Sequence, residues 1–340
     1  MSKISGGSSL VFNYLPVLLG IVLYILIFIV RLEQGGWDLK LDLFSGVRQS
    51  LDQQISQLLP SPEAELLSGI LLGQNKNLPG RLKLALRDTS TLHIVVASGQ
   101  NLSMVAGFFL AFSGLIKRRN ALILSLLAAL GYTILSGMQV PIIRAAIMFS
   151  LASLAQISGR QRDGAWVLIV TVGLMLLINP SWISSLSFQL SVLATFGVVL
   201  VAPILLKFLK ALPLIGQDLA VVLGAQLMVV PVIIQNFHQL SLTGVLANLL
   251  IGWTIPLVMI LGTVMLILSW IWIPLAQVVS LAAGALLIYF IYIVQFFASL
   301  PFAWEYIGEQ VWLVWTGYYL VLAGIMLLLR NAQTTNFRRP

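Results

Sequence analysis

Cysteine is absent from this 340-residue chain, which excludes disulfides and thiolate metal sites alike. Acid is nearly as scarce: Asp and Glu number 11 against 19 Lys and Arg, and residues 89–304 hold only Asp163 and Asp218. Histidine occurs twice, at His93 and His238, with no HExxH-type ligand spacing. A GxxxxGK[ST] phosphate loop is missing, so any energy for transport must come from a gradient or from a separate motor. No cofactor, metal or catalytic residue set can be assembled from what remains, and the chain is not expected to be an enzyme.

Charge of either sign is low. Charged residues make up 9% of the chain and hydrophobic ones 59%, with a mean hydropathy of +1.00. A soluble domain carries roughly 25% charge, so this chain cannot coat a water-facing surface. Its apolar runs repeatedly reach the roughly 20 residues that cross a bilayer. Lipid offers no hydrogen-bond partners, and these runs lack the alternation of barrel strands. The fold class is therefore all-α, a polytopic transmembrane bundle.

About ten spans, each near the length a bilayer needs, are expected at 10–30, 92–113, 120–137, 139–158, 165–179, 182–206, 219–236, 244–271, 275–300 and 311–329. The first run is too long for a signal-peptide core and no A-x-A-like site follows it, so residues 1–31 read as a retained anchor. Residues 32–90 form an extracytoplasmic amphipathic segment, with a Pro-bounded helix at 63–72 and a basic amphipathic piece at 82–86. A core over 91–255 follows, then C-terminal spans and a cytoplasmic tail over 256–340.

Lys and Arg in short loops set orientation. Lys117, Arg118 and Arg119 follow span two, Arg160 and Arg162 span four, Lys207 and Lys210 span six, and Arg330, Arg338 and Arg339 the last span. The loops after spans three, five and seven carry none, and the loop after span eight is too short to count. Both termini are expected in the cytoplasm. The cations Lys76, Arg81, Lys83 and Arg87 then lie outside, where topology gives no reason for them. They can hold phosphates or snorkel to lipid headgroups.

Arg144 is the one charge well inside a span, and each such charge costs about 2.5–3.5 kcal/mol on insertion scales. No span supplies an acid to pair with it. It either snorkels outward or lines an aqueous path for an anion. Pro141, three residues earlier, removes a helix donor and can free a carbonyl nearby. Span two opens with His93 and continues through Ser98, Gly99, Gln100, Asn101 and Ser103, a poor lipid-facing helix. It suits a close helix crossing or a broken helix lining a cavity. Ser187, Gln189, Gln226 and Asn248 add polar groups to later spans. Most of this set falls in the outer half of the membrane, the pattern of a vestibule opening outward.

A family becomes visible in these polar stretches. Ser61-Pro62-Glu63-Ala64-Glu65-Leu66-Leu67-Ser68-Gly69 resembles the segment that opens the core of the ComEC competence proteins. Leu92-His93-Ile94-Val95-Val96-Ala97-Ser98-Gly99 is similar to that family's H-L-L-A-V-S-G-L-H signature, with Asn101 at the position of its second histidine. Pro141-Ile142-Ile143-Arg144-Ala145 resembles its P-x-x-R-A stretch, and Asn179-Pro180 with Leu186-Ser187-Phe188-Gln189-Leu190-Ser191 its next. Ala225-Gln226, Pro231, Phe237, Ser241 and Asn248-Leu249-Leu250 follow in the same order, so the similarity covers residues 60–255.

The resemblance implies a bacterial inner-membrane channel that passes single-stranded DNA into the cytoplasm during natural transformation. It implies a DNA receptor outside and a cytosolic ATPase motor as partners. Membrane lipids are expected partners too, and the sequence leaves oligomerisation open. His93, Ser98, Gln100, Asn101, Arg144, Ser187, Gln189, Gln226 and Asn248 would line the path, and Lys76, Arg81, Lys83 and Arg87 would meet DNA at the outer face. A strand with one charge per phosphate wants cations and few acids along its way. Two rivals stand beside this reading: a membrane transferase or lipid-handling enzyme using His93, and a secondary transporter of a small anion using Arg144. Asparagine cannot titrate, which counts against proton-linked roles at position 101.

Overall fold

A computed structural model describes residues 7–37, 44–74, 77–95, 98–160, 163–213 and 215–336. The chain runs through α1 (Gly7–Gln34), α2 (Ser45–Leu58), α3 (Glu63–Leu72), α4 (Gly80–Asp88), α5 (Leu92–Val95), α6 (Gly99–Ala111), α7 (Arg118–Leu135), α8 (Val140–Ile157) and α9 (Gly164–Ile178). It continues with α10 (Leu186–Phe196), α11 (Ala202–Phe208), α12 (Gly216–Phe237), β1 (Gln239–Ser241), α13 (Gly244–Gly252), α14 (Thr254–Ile271), α15 (Ile273–Ala298), β2 (Trp304–Tyr306) and α16 (Trp312–Asn336). The protein is an all-α, polytopic membrane protein. Among the described residues, six helices are long and apolar enough to cross a bilayer: 140–157, 186–211, 216–237, 254–271, 273–298 and 312–329.

Several expected spans are interrupted, each where the sequence offers a reason. The second is interrupted at Ser98, which lies outside both α5 and α6, within its run of small and polar residues. The sixth carries a π turn at Gly197–Val201, a frequent companion of functional sites. Gly197 lies there against α12 so closely that a Cβ on Gly224 would stand 2.9 Å from the Gly197 carbonyl oxygen. The eighth breaks at Trp253 into α13 and α14. Pro141 differs from expectation: it occupies the first turn of α8, where no intrahelical partner is needed for its nitrogen, so it kinks nothing and frees no carbonyl.

Contacts between outward loops agree with the Lys/Arg pattern. Gln239, Leu240 and Ser241 pair antiparallel with Tyr306, Glu305 and Trp304, joining two loops expected on the same face. Arg31 at the end of α1 donates to the carbonyls of Leu177 and Ile178 at the end of α9, at 3.0 and 2.8 Å.

The segment 45–88 is packed into the helical body. In α3 every residue from Leu66 to Leu72 is buried, and Leu66, Leu67 and Ile70 share a core with Ile255, Val258, Leu287 and Phe290. Gly262 makes the notch that receives it, since a Cβ there would lie 2.8 Å from the Cδ1 atoms of both Leu67 and Leu71. Small residues at such crossings let backbones approach where lipid tails offer no hydrophobic gradient.

Helix α2 ties two parts of the bundle together. Arg48 donates to the Leu135 carbonyl in the α7–α8 turn at 3.0 Å. Six residues on, Gln54 accepts from Trp270 at 2.8 Å and Ser269 at 3.2 Å beside the α14–α15 turn.

Candidate functional site: a buried arginine at a helix start

Arg144 sits in the first two turns of α8, only 9% exposed. Its Nη1 donates to the Ser191 carbonyl of α10. Its Nε has no partner among the described residues, and neither has the neighbouring Ser191 Oγ. The first residue of α6 faces it: a Cβ on Gly99 would lie 3.4 Å from Arg144 Nη2 and 3.1 Å from Ala145 Cβ. A side chain at this position, at the N-terminus of α6, would press on both residues.

The electrostatics of that contact are unusual. A helix N-terminus presents unsatisfied N–H groups and about half a positive charge. Here it faces a guanidinium, so two positive ends converge where spans supply no acid. Neither stabilises the other, and both favour an anion between or beside them. The snorkelling alternative fares less well, because Nη1 is turned across to α10.

The other expected lining residues divide into groups. Asn101 is a correction: it is 1% exposed, its Nδ2 donates to the Ile70 carbonyl at 2.8 Å, and its Oδ1 accepts from Ser98 Oγ at 3.0 Å. Its amide and the Ser98 hydroxyl are spent on tying α6 to α3, the cheapest use of polar groups that water cannot reach. Gln189 is likewise occupied, donating to the Ile183 carbonyl at 2.9 Å in the 3₁₀ turn Pro180–Ser184 that precedes α10. Gln100 and Ser187 are exposed, and Gln226 is half-buried on α12.

His93 and Asn248 come together at a second place. His93 Nδ1 lies 2.9 Å from the Ser90 carbonyl, and Asn248 Nδ2 lies 3.5 Å from the same oxygen. Since that oxygen only accepts, the imidazole carries its proton on Nδ1 and leaves Nε2 open at an exposed position. Ser90 holds a φ of +52° to present this carbonyl, a backbone cost that clusters at functional places.

At α4, Leu82, Ala85 and Leu86 are buried against the bundle while Arg81, Lys83 and Arg87 are exposed. Arg87 is less available than expected, since it pairs with Asp88 at 3.1 Å. Lys76 lies outside the described residues. Arg48 is a buried cation that sequence reasoning missed. It is 8% exposed and anchored at the Leu135 carbonyl, with Gly137 (φ +80°) making room for its guanidinium. Its only signal was an Arg near the start of an amphipathic helix, which reads as a solvated charge.

No solved structure matches the chain. Among curated proteins, it is 29% identical over 292 residues to an uncharacterized protein, YcaI, of Escherichia coli K12, covering 78% of this chain and 37% of that protein. It is 27% identical over 206 residues to ComE operon protein 3 of Bacillus subtilis, covering 60% of this chain and 26% of that protein. An uncharacterized protein of Aquifex aeolicus is 31% identical over 169 residues, 48% of this chain and 40% of that protein. The chain thus spans well under half the length of these relatives. The family model described as Competence protein matches residues 70–332, most of the chain and all of the Arg144 site, and by that match this protein belongs to the competence protein family, of the ComEC type.

Proposed function

We propose that this chain forms the membrane path by which single-stranded DNA enters the cytoplasm of a bacterium, within its inner membrane. Family membership and the similarity to ComE operon protein 3 support the link to competence. The observation that carries the reading is Arg144, buried against the start of α6 with an Nε that has no partner among the described residues. That arrangement suits a phosphate passing one at a time through a narrow place, where a guanidinium can grip two oxygens and release them. The exposed cations Arg81 and Lys83 on α4 would gather the strand before it enters. A DNA receptor outside and an ATPase inside complete the proposed system, since the chain carries no nucleotide loop of its own.

Transport of a small anion is the second reading, favoured by the same arginine. Among the described residues the hydrogen bond of His93 is to the Ser90 carbonyl, with no nucleophile or carboxylate beside it to favour the enzyme reading. Uptake of labelled DNA by a competent host, with and without this gene, tests the proposal. Internal label should vanish in the deletion and return on complementation, and equal uptake in both strains would sink it.

A further inference from the structure

The Arg144 guanidinium presents two different edges to its surroundings, and the fold engages one of them. Nη1 donates to the Ser191 carbonyl of α10. Nε and Nη2 lie together on the other edge, where two parallel N–H bonds form the fork that matches two oxygens of one oxyanion. Nε is sealed from solvent and has no partner among the described residues. Nη2 lies against the first residue of α6, 3.4 Å from where a Cβ on Gly99 would stand. No carboxylate among the described residues pairs with this edge: Asp163 caps α9 at the far end of the α8–α9 pair, and Asp218 lies in the first turn of α12.

Ser191 is set apart by where its hydroxyl points. A Ser or Thr inside an apolar helix can satisfy its hydroxyl on the carbonyl four residues earlier. Ser103, Ser150, Thr171 and Thr195 all do so here. Ser191 Oγ does not: it is closed to solvent and bonds to nothing among the described residues. Meanwhile the carbonyl of the same residue is held by two donors, Arg144 Nη1 and Thr195 Oγ1. Two unpartnered donors, Arg144 Nε and Ser191 Oγ, therefore belong to residues that are bonded to each other. Beside them begins a helix of 13 residues, whose N-terminus favours negative charge. Leaving buried donors unmade is costly, and an oxyanion would satisfy them together.

We infer that the Nε–Nη2 edge of Arg144, the Ser191 hydroxyl and the start of α6 form one binding site for a singly charged tetrahedral oxyanion, the chemistry of a phosphodiester, with Ser191 as a direct contact that selects the ion. The fork takes two oxygens and the Ser191 hydroxyl donates to one of them. A halide offers a single centre and cannot use both arms of the fork. Strand phosphate as the natural occupant rests on the function proposed above, whereas selection between ions is a property of these side chains alone.

Thermal unfolding of the purified full chain in detergent tests this, because a ligand of the folded state raises the midpoint. Sodium chloride is exchanged stepwise for sodium dimethyl phosphate, or for sodium phosphate, at constant ionic strength. The readout is the difference between salts, so a small change in the stability of a variant does not enter it. Wild type should prefer dimethyl phosphate to chloride by at least about tenfold, the size of one added hydrogen bond to a charged group. Ser191→Ala should lose about that factor, and Ser191→Thr, which keeps the hydroxyl, should retain it. Arg144→Lys keeps the charge without the fork and should bind both ions alike. Equal binding of dimethyl phosphate and chloride by wild type would overturn the inference, as would an undiminished preference in Ser191→Ala. Binding of inorganic phosphate without dimethyl phosphate would overturn it too, since a strand offers only the diester. A selective site in a chain that proves dispensable for DNA uptake would uphold this site and sink the transport reading alone.

Discussion

Replacing Arg144 by Gln separates a transport role from a packing role. In packing terms the substitution removes the hydrogen bond to the Ser191 carbonyl. Interhelical bonds of this kind in membranes average about 0.6 kcal/mol and reach about 1.7. Removing the charge also lifts an insertion cost of about 2.5–3.5 kcal/mol, so the stability of the variant should match or exceed wild type. In transport terms the loss is larger. A guanidinium about 4 Å from a phosphate is worth about 4 kcal/mol at an effective dielectric of 20. Even if two thirds of that is screened, about 1.3 kcal/mol remains, close to a factor of ten in rate. Uptake of labelled DNA should therefore fall at least about tenfold at equal protein level, with thermal unfolding in detergent unchanged or shifted upward. Arg144→Lys keeps the charge but loses the forked geometry, and should recover part of the flux. Wild-type uptake in the Gln variant, or Lys indistinguishable from Arg, would refute the reasoning and leave Arg144 as a packing residue.

Further outcomes follow from the contacts described. Gly262→Leu drives a side chain into Leu67 and Leu71 and should cost about 1–3 kcal/mol, read as a lowered unfolding temperature; an unchanged midpoint would mean that α3 does not occupy the notch. The chain has no cysteine to remove, so single cysteines report topology directly: Gln53→Cys should react with an impermeant maleimide from outside, and Asn120→Cys should not. Labelling of Asn120→Cys in intact cells would overturn the orientation. Arg81→Glu with Lys83→Glu should weaken capture of single-stranded DNA and reduce its salt slope by about 0.7 for each lost phosphate contact; an unchanged slope would make these residues headgroup anchors.

The all-α membrane class was legible from composition, because neither charge nor acid suffices for a soluble surface. The break in the second span was legible from the run Ser98 to Asn101. The placement of Arg144 against Gly99 was visible only in part, as a cation with no acid to meet. Other features depend on partners far away in the chain. Nothing local to Glu63–Leu72 announces the Gly262 notch that buries it. Asn101 reads as a lining amide until Ile70 is brought to it. Arg48 reads as solvated until the α7–α8 turn closes over it. In each case the deciding contact is long-range, and local periodicity carries no record of it.

The pairing of β1 with β2 bears on the order in which this protein assembles. Ser241 and Trp304 meet across roughly sixty residues of chain, and ideal-chain scaling puts the entropy of closing such a loop at about 3.7 kcal/mol. Three residue pairs at an edge cannot supply that by themselves. Once α14 and α15 have formed their hairpin, the two ends are already held near each other and the closure cost largely disappears. The little sheet is therefore a late latch that fastens after the hairpin is in place. It fixes where α16 begins, and with it where the Tyr318 and Tyr319 hydroxyls meet the Leu227 and Met228 carbonyls of α12.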